Sequence, residues 1–230
     1  MRGGVPSRLN RVMRSFIRVL VIIAVAIVLP RTALAQVTTD TAATPKQTVF
    51  AYVQLGDTIA IEAVYTDSGV VRGAYFIPKQ GRIGWNHQLK DDGTPGMLTL
   101  SFFPPPEQGD RVFRQIDYDR KADSMFVLLQ DYEGRRGETV ATRDSAIAVF
   151  GRSLAHIAYL GYYAVLTRQS SLPLYLVSSG KTVAATVSVL GEALIINVDG
   201  LRVEATWQGG ALVEVNVPSQ SLTVRRLSLQ

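Results

Sequence analysis

Cysteine is absent from this 230-residue sequence, and histidine occurs only twice, as His87 and His156. Without cysteine the chain forms no disulfide bond and no iron–sulfur centre, and two isolated histidines do not supply the ligand set of a zinc or haem site. We therefore expect no metal and no cofactor. Stability must come from packing and hydrogen bonds, because covalent cross-links are unavailable to this chain.

A membrane-spanning hydrophobic run is also missing. The apolar run at 19–29 has 11 residues, whereas a spanning helix needs about 20. It follows a segment with five arginines and no acidic residue, and it precedes Ala33–Ala35, a small-residue pattern suited to signal peptidase. The sequence predicts a secretory signal peptide over residues 1–35, no stable membrane anchor after its cleavage, and a periplasmic or secreted protein exported through the general secretion route.

The basic character of the chain depends on that same segment. The sequence has 24 Lys and Arg residues against 19 Asp and Glu residues. Six of the arginines and none of the acidic residues lie within 1–35, which leaves 18 basic and 19 acidic side chains in the remainder. The mature protein is therefore nearly neutral, and nothing in its charge indicates nucleic acid as a partner.

Beyond a polar leader at 36–47, alternation of apolar and polar residues predicts a single antiparallel β domain over residues 48–230. The alternation is clearest from Leu201 to Trp207. Asp199-Gly200, just before it, is a dipeptide typical of a type I′ hairpin turn. The segment from about 173 to 226 is expected to form a six-stranded meander.

The first half of the domain shows the same period less regularly. In its second strand, Ile59, Ile61, Ala63 and Tyr65 share one face. The strands expected in this half lie near 48–55, 58–66, 70–78, 82–89, 96–103, 112–119 and 123–131.

One segment breaks the strand pattern. Residues 145–168 carry apolar side chains at helical spacing and predict one long amphipathic helix, capped at its start by Asp144 or Ser145. Gly161 lies on the apolar face of this helix and allows close approach to a sheet.

The helix needs a partner for its apolar stripe, and an open sheet needs a cover for one face. The sequence therefore predicts a mainly β (α+β) fold, a strongly curved antiparallel meander sheet or half-barrel with the helix packed on it. The polar face of the helix is expected to carry Arg152, His156, Tyr159 and Tyr163.

The order of these elements, together with the phrase GEALIINVDGLRVEATWQGGALVEVNVPSQSLTVRR that begins at Gly191, resembles a group of exported bacterial domains of unknown function. In that group a curved antiparallel half-barrel wraps a helix, as in the periplasmic lipoprotein carriers. The resemblance carries no catalytic residues. It implies a cavity between helix and sheet that takes a lipid or another apolar small molecule.

Aromatic side chains on and near the helix are the candidate ligand-binding residues. Tyrosine combines apolar area with a polar tip, which suits an amphiphilic ligand, although such residues also serve as ordinary core and edge packing. The candidate set is Trp85, Phe150, Leu154, Tyr159, Tyr162, Tyr163 and Trp207.

No catalytic residue is predicted. Asp67-Ser68-Gly69 matches the tripeptide of retropepsin-like aspartic proteases, and a second carboxylate would have to come from Asp199, but both lie where hairpin turns are expected. Ser153 and His156 share a helix side without an evident oxyanion hole. Residues 107–120 mix acids and arginines and form either a charged rim for a ligand or a solvated hairpin.

Three functional hypotheses follow. The first is an exported, non-catalytic protein that binds an apolar or amphiphilic molecule between sheet and helix. The second is a structural or scaffolding envelope protein that engages a partner through a sheet edge or a helix face. The third is a hydrolase that uses Asp67 and Asp199.

Overall fold

The computed structural model describes residues 46–67 and 69–227. The predicted signal peptide and residues 36–45 of the predicted leader lie outside the described residues. The last two leader residues, Lys46 and Gln47, belong to the first strand of the sheet. No helix within the described ranges has the length and hydropathy that a membrane span requires.

The described residues form fifteen strands and one α-helix, with short 3₁₀ turns at Pro106–Gln108 and Pro218–Gln220. The helix, α1, spans Leu154–Leu166. The strands are β1 (Lys46–Gln54), β2 (Asp57–Asp67), β3 (Val70–Ile77), β4 (Gly81–Leu89), β5 (Pro95–Phe103), β6 (Arg114–Arg120), β7 (Ser124–Asp131), β8 (Gly134–Ala141), β9 (Ile147–Val149), β10 (Ser171–Leu176), β11 (Lys181–Leu190), β12 (Ala193–Val198), β13 (Leu201–Gln208), β14 (Ala211–Val217) and β15 (Leu222–Leu227).

All fifteen strands belong to one sheet in the order β8-β7-β6-β5-β4-β3-β2-β1-β15-β14-β13-β12-β11-β10-β9. Neighbours pair antiparallel except β9 and β10, which run parallel. Short connections force strands that are adjacent in sequence to be adjacent in the sheet. Asp199 and Gly200 both have positive φ, 49° and 78°, as a type I′ turn requires. The predicted six-stranded meander is confirmed as β10 to β15.

The sheet curves around α1. The N-terminal end of the helix contacts β1, where the Leu154 N–H donates to the Tyr52 hydroxyl at 3.0 Å. Further along the helix, Tyr162 stacks on Trp207 of β13 at 4.3 Å between ring centroids. His156, in the first turn of the helix, also bonds to His87 of β4 at 2.8 Å. Strands β4 and β13 are six positions apart in the sheet order, yet both contact a helix of only 13 residues, which requires strong curvature. The predicted fold class is confirmed.

Gly161, the one glycine of α1, lies where the helix approaches the sheet closely. A Cβ atom placed there would lie 2.7 Å from Ile196 Cγ1 and 3.1 Å from Leu194 Cδ2, both on β12. Those distances are shorter than a van der Waals contact, so only glycine fits without a shift of the neighbouring side chains. The expectation that Gly161 permits close packing is confirmed.

The predicted helix boundaries, 145–168, are wrong. Residues 147–149 form β9, which pairs parallel with β10, and the helix begins only after Ser153, whose hydroxyl accepts the N–H of His156 at 2.9 Å. Ser153 is therefore the N-cap rather than Asp144 or Ser145. A short apolar run fits a buried strand as well as a helical turn, so spacing alone does not separate the two.

The predicted polar face of α1 is also wrong at His156. This residue is 1% exposed, and the helix buries side chains around most of its circumference. The helix lies inside the curve of the sheet, so little of it is left to face solvent. A helix in that position does not need a polar stripe.

Two further features of the sheet differ from the sequence prediction. Strand β8 was not predicted, because its sequence, GRRGETVA, lacks apolar alternation. In β2, Ala60, Glu62 and Val64 form the most deeply buried face and alternate with Ile61, Ala63 and Tyr65. The predicted alternation breaks at Ile59, which is 39% exposed and lies where the pairing with β1 shifts register.

Candidate functional site

The seven predicted ligand-binding residues divide into two groups. Trp85, Phe150 and Leu154 are buried, with 1%, 5% and 4% of their surface exposed, and belong to the main core. The other four are partly buried and pack against that core from the helix and from β13. They are Tyr159, Tyr162, Tyr163 and Trp207.

Three of the partly buried residues pack on one another. Trp207 stacks on Tyr162 with an interplanar angle of 18°, and Tyr159 meets the same indole edge-on at 5.2 Å. Such pairs stabilise a helix–sheet contact by roughly 0.5–1.5 kcal/mol beyond the area they bury. Their faces are therefore already used for packing between α1 and β13.

A buried carboxylate organises the start of α1. Glu62 on β2 is fully buried. Its Oε1 accepts hydrogen bonds from Trp85 Nε1 and from Ser153 Oγ, both at 2.6 Å. Its Oε2 accepts the Tyr52 hydroxyl, which in turn accepts the Leu154 N–H. Three strands and the first turn of the helix are thus joined at one side chain.

Burial and hydrogen bonding act in opposite directions on Glu62. Burial raises the pKa of this carboxyl, while hydrogen bonds from Ser153, Tyr52 and Trp85 hold the pKa down. All three neighbours are donors, so an ionised carboxylate satisfies every one of them, whereas a protonated acid would leave one donor without an acceptor. Burial, with the adjacent carboxylate, raises the pKa of Tyr52 well above its usual range. Tyr52 therefore stays a neutral donor.

A second chain of hydrogen bonds joins the two histidines. The Phe150 N–H donates to His156 Nδ1 at 3.2 Å, so this nitrogen carries no proton. His156 Nε2 then holds the proton and donates to His87 Nδ1 at 2.8 Å. By the same logic His87 carries its proton on Nε2, a buried atom that has no hydrogen-bond partner within the described residues.

Both histidines are held neutral. Burial, followed by the charge of Arg120, lowers the pKa of His87 to about 4. Burial, followed by the neighbouring His87, lowers the pKa of His156 well below its usual range. The His156 ring also stacks on Trp85 at 4.5 Å. The pair therefore acts as a neutral polar link between β4 and α1.

Neither cluster has the form of a catalytic centre. The Ser153 hydroxyl is bonded to the backbone N–H of His156 and to Glu62, not to the imidazole ring, and Ser153 is fully buried. A nucleophile needs both an activating base and access to substrate. Within residues 46–67 and 69–227, no cluster of three or more His, Asp or Glu side chains is arranged to hold a metal ion.

The two aspartates of the hydrolase hypothesis lie far apart in the sheet. Asp67 ends β2, and Asp199 occupies the turn between β12 and β13, with β1, β15 and β14 between them. Hairpin pairing reverses the chain at each strand, which puts the two turns at opposite ends of the strands. Carboxylates that share a proton must be within hydrogen-bonding reach. These two do not meet that requirement.

An open groove of about 570 Å³ lies where β6 and β7 meet the loop after β5. We call it the β6–β7 groove. Phe113 and Tyr132 in its lining are 48% and 87% exposed. Its full lining is Pro104, Gln108, Arg111, Val112, Phe113, Arg114, Gln115, Gln130, Asp131 and Tyr132.

The charges of the groove are unevenly compensated. Asp131 accepts the Glu133 N–H at 2.9 Å and pairs with Arg136 at 3.1 Å. Arg111 and Arg114 are exposed, and neither forms a salt bridge within the part of the chain that the structure describes. The groove therefore presents free positive charge beside exposed aromatic surface. Six of its ten lining residues belong to the 107–120 segment, for which the sequence left a ligand rim and a solvated hairpin both open.

Sequence reasoning did not find Glu62 or the histidine pair. The partners of Glu62 lie 10, 23 and 91 residues away, and the two histidines are 69 residues apart. One signal was present in the sequence. Glu62 lies in a strand whose neighbouring residues are alanine, isoleucine and valine, so both faces of the strand are expected to be buried, and a charged residue there is unusual.

The sequence matches no protein-family model, and no curated protein is similar to it. Among solved structures, the chain is similar to the crystal structure of a beta-barrel-like protein of a domain of unknown function, DUF1849, from Brucella abortus. The TM-score is 0.45 and the sequence identity 10%, with 79% of this chain and 94% of that chain covered. This likeness assigns no function, and the resemblance to lipoprotein carriers stays a prediction.

Proposed function

We propose that this chain is an exported, non-catalytic binding protein, and that its β6–β7 groove takes an amphiphilic molecule with an anionic group. The observation that carries the proposal is the combination of Arg111 and Arg114, which form no salt bridge with the described residues, with the exposed rings of Phe113 and Tyr132 in one concave surface. Guanidinium groups bind carboxylates and phosphates, and exposed aromatic faces take apolar chains.

Two features favour the groove over the space between helix and sheet. The close contact of Gly161 with Ile196 leaves no room at that point of the helix. Trp85 and Leu154 are occupied by the hydrogen-bond network around Glu62, and Tyr162 is stacked on Trp207. A ligand there would have to displace native packing, whereas the groove is already open.

Export and the absence of catalysis are supported separately. Export rests on the apolar run at 19–29 with its preceding arginines and following small residues. A non-catalytic role fits the burial of Ser153 and His156 and the separation of Asp67 from Asp199.

Binding of dansyl-undecanoate, followed by dansyl fluorescence, tests the proposal. We expect saturable binding by the purified protein. The Arg111→Gln/Arg114→Gln double variant should bind more weakly, with a dissociation constant about tenfold higher or more, because it removes both candidate partners of the carboxylate. The uncharged amide of the same probe should bind the original protein more weakly.

Arg143→Gln/Arg168→Gln is the matched control, since both residues are exposed arginines outside the groove. Its dissociation constant should stay within about twofold of the original. Absence of saturable binding, or binding that is the same with and without Arg111 and Arg114, would contradict the proposal. If Tyr162→Ala abolishes binding and the arginine double variant binds fully, the ligand binds between helix and sheet and not in the groove.

A structural or scaffolding role is the second candidate. The observation that favours it is the exposed edge strand β8, whose outer side pairs with no strand of the described residues and can pair with a strand of a partner. Crosslinking in cells, with a photoreactive residue in place of Ala141, would capture a partner chain if this role holds. Crosslinks confined to the chain itself would contradict it.

A further inference from the structure

Strand β8 is the open edge of the sheet. It pairs with β7 on one side and with no strand on the other within the described residues. Residues 134–139 are all exposed, so no loop or helix among the described residues covers this edge. An exposed edge strand is a template for pairing with a further strand.

The register fixes which backbone groups face outward. Tyr132 and Glu133 form a two-residue turn between the paired residues Asp131 and Gly134. The residues that flank a two-residue hairpin turn are a hydrogen-bonded pair, and such pairs alternate along the ladder. Every second residue after Gly134 therefore points its N–H and C=O toward β7. The residues between them point these groups away from the sheet: Arg135, Gly137 and Thr139.

We propose that β8 pairs antiparallel with β8 of a second copy of this chain, about a two-fold axis at Gly137. In that register Gly137 lies opposite its own copy, and Arg135 lies opposite Thr139 of the other chain. All three residues present outward N–H and C=O groups, so roughly six main-chain hydrogen bonds form across the axis. The two sheets become one continuous sheet. This inference does not depend on ligand binding in the groove.

Charge selects this register over its neighbours. With the axis at Gly137, Arg136 of each copy lies opposite Glu138 of the other on the same face of the sheet, which gives two opposite-charge pairs. These pairs add to the ion pairs that Arg136 forms with Asp131 and Glu133 of its own chain. Moving the axis to residue 136 would put two Arg136 side chains opposite each other. Moving it to residue 138 would put two Glu138 side chains opposite each other. Like charges directly opposite are destabilising, so charge favours the register centred on Gly137 over these two neighbours.

The centre of the interface also has the right shape. Gly137 has no side chain, and the Phe126 ring of β7 covers it, since a Cβ atom at Gly137 would lie 2.8 Å from Phe126 Cζ. Phe126 is 38% exposed. One exposed ring from each copy would flank the axis, which places apolar surface at the centre and charged side chains further out.

Sedimentation velocity over a concentration series tests the proposal. The purified protein should shift from monomer to dimer at concentrations up to about 1 mM. Arg136→Glu alone and Glu138→Arg alone should each stay monomeric, because each creates two like-charge pairs across the axis. An equimolar mixture of these two variants should dimerise, because every facing pair is then opposite in charge.

Thr139→Pro is an independent variant. It removes one outward N–H and no hydrogen bond to β7, so it should abolish the dimer without unfolding the chain. Circular dichroism of each variant checks that the fold is kept. Arg168→Glu, at an exposed arginine outside the interface, is the charge-matched control and should dimerise like the original protein.

Three outcomes would overturn the proposal. The first is an original protein that stays monomeric throughout the concentration series. The second is dimerisation of the folded Glu138→Arg and Thr139→Pro variants to the same extent as the original protein. The third is a mixture of the two charge variants that contains no heterodimer.

Discussion

The two end strands of the sheet, β8 and β9, are built in opposite ways. β9 (Ile147–Val149) is short, apolar and completely buried; it pairs with β10 and also contacts β5 and β6, so its edge is covered. β8 (Gly134–Ala141) is longer, carries three charged residues and is exposed over most of its length. A covered edge contributes to the core, whereas an exposed edge and the nearby groove are surfaces where a partner or ligand can bind without disturbing the fold.

The largest expected effect comes from placing the same charge at both ends of the sheet. Ala148 in β9 is fully buried and Ala141 in β8 is exposed. Ala148→Arg should lower the free energy of unfolding by more than about 4 kcal/mol or prevent folding, because it buries an unpaired charge. Ala141→Arg should change it by less than about 0.5 kcal/mol. Urea unfolding followed by circular dichroism measures both, and equal effects would contradict the contrast between the two edges.

The next effect concerns the buried carboxylate. Glu62→Ala leaves the Tyr52 hydroxyl, the Ser153 hydroxyl and the Trp85 N–H without an acceptor, and should cost about 3–4 kcal/mol. Glu133→Ala, at an exposed turn next to β8, removes one surface ion pair and should cost less than about 1 kcal/mol. The same urea experiment compares them. A cost below about 1 kcal/mol for Glu62→Ala would show that the network does not stabilise the fold.

The histidine pair makes stability depend on pH. The pKa of His87 is about 4 in the folded protein and about 6.5 in an unfolded chain. Above pH 6.5 neither state binds the proton, so His87 has no effect on stability there. Between pH 6.5 and 4 only the unfolded state binds it, so the free energy of unfolding falls with decreasing pH, by at most about 3 kcal/mol for this residue. His156, with a lowered pKa, acts in the same direction, while Glu62, with a raised pKa, acts in the opposite one.

Urea unfolding at a series of pH values from 7 to 4 separates these contributions. His87→Gln should flatten the pH dependence, and Glu62→Gln should steepen it relative to the original protein. An unchanged slope in His87→Gln would contradict the neutral state of His87 in the folded protein.

The smallest effect comes from two glycines. Gly161→Ala should cost about 1–2 kcal/mol, because the clash with the buried Ile196 exceeds the gain in helix propensity of about 1 kcal/mol. Gly137→Ala meets only the partly exposed Phe126 ring, which has room to move, and should change stability by less than about 0.5 kcal/mol. Thermal unfolding compares the two. Gly161→Ala without a loss of stability would mean that helix and sheet are less closely packed than described.

Local patterns were sufficient to predict much of the sheet. The six strands from β10 to β15 follow from alternation and from turns such as Asp199-Gly200, where neighbouring residues determine the outcome. Strand β8 was missed because it is exposed on both faces, and burial is what produces alternation. Strand β9 was missed because Ile147–Val149 is only three residues long and merges with the apolar spacing of α1.

The polar network could not be predicted, for a different reason. Glu62, His87 and His156 come together only after the sheet has curved around the helix. Alternation in β2 does not mark Glu62 as buried, because a glutamate is expected to face solvent. The tertiary fold reversed this expectation by supplying three donors to Glu62. The β6–β7 groove likewise depends on how the loop after β5 folds back, which has no periodic signal.

The central claim is that binding takes place in the β6–β7 groove and not between helix and sheet. The chain has two tryptophans, Trp85 and Trp207, and both lie in the helix–sheet region. A proton–nitrogen correlation spectrum recorded during titration with dansyl-undecanoate reports on both places at once. We predict shifts in the backbone amides of Phe113, Arg114 and Tyr132, with both indole N–H signals unchanged. Shifted indole signals with silent groove amides would contradict the account.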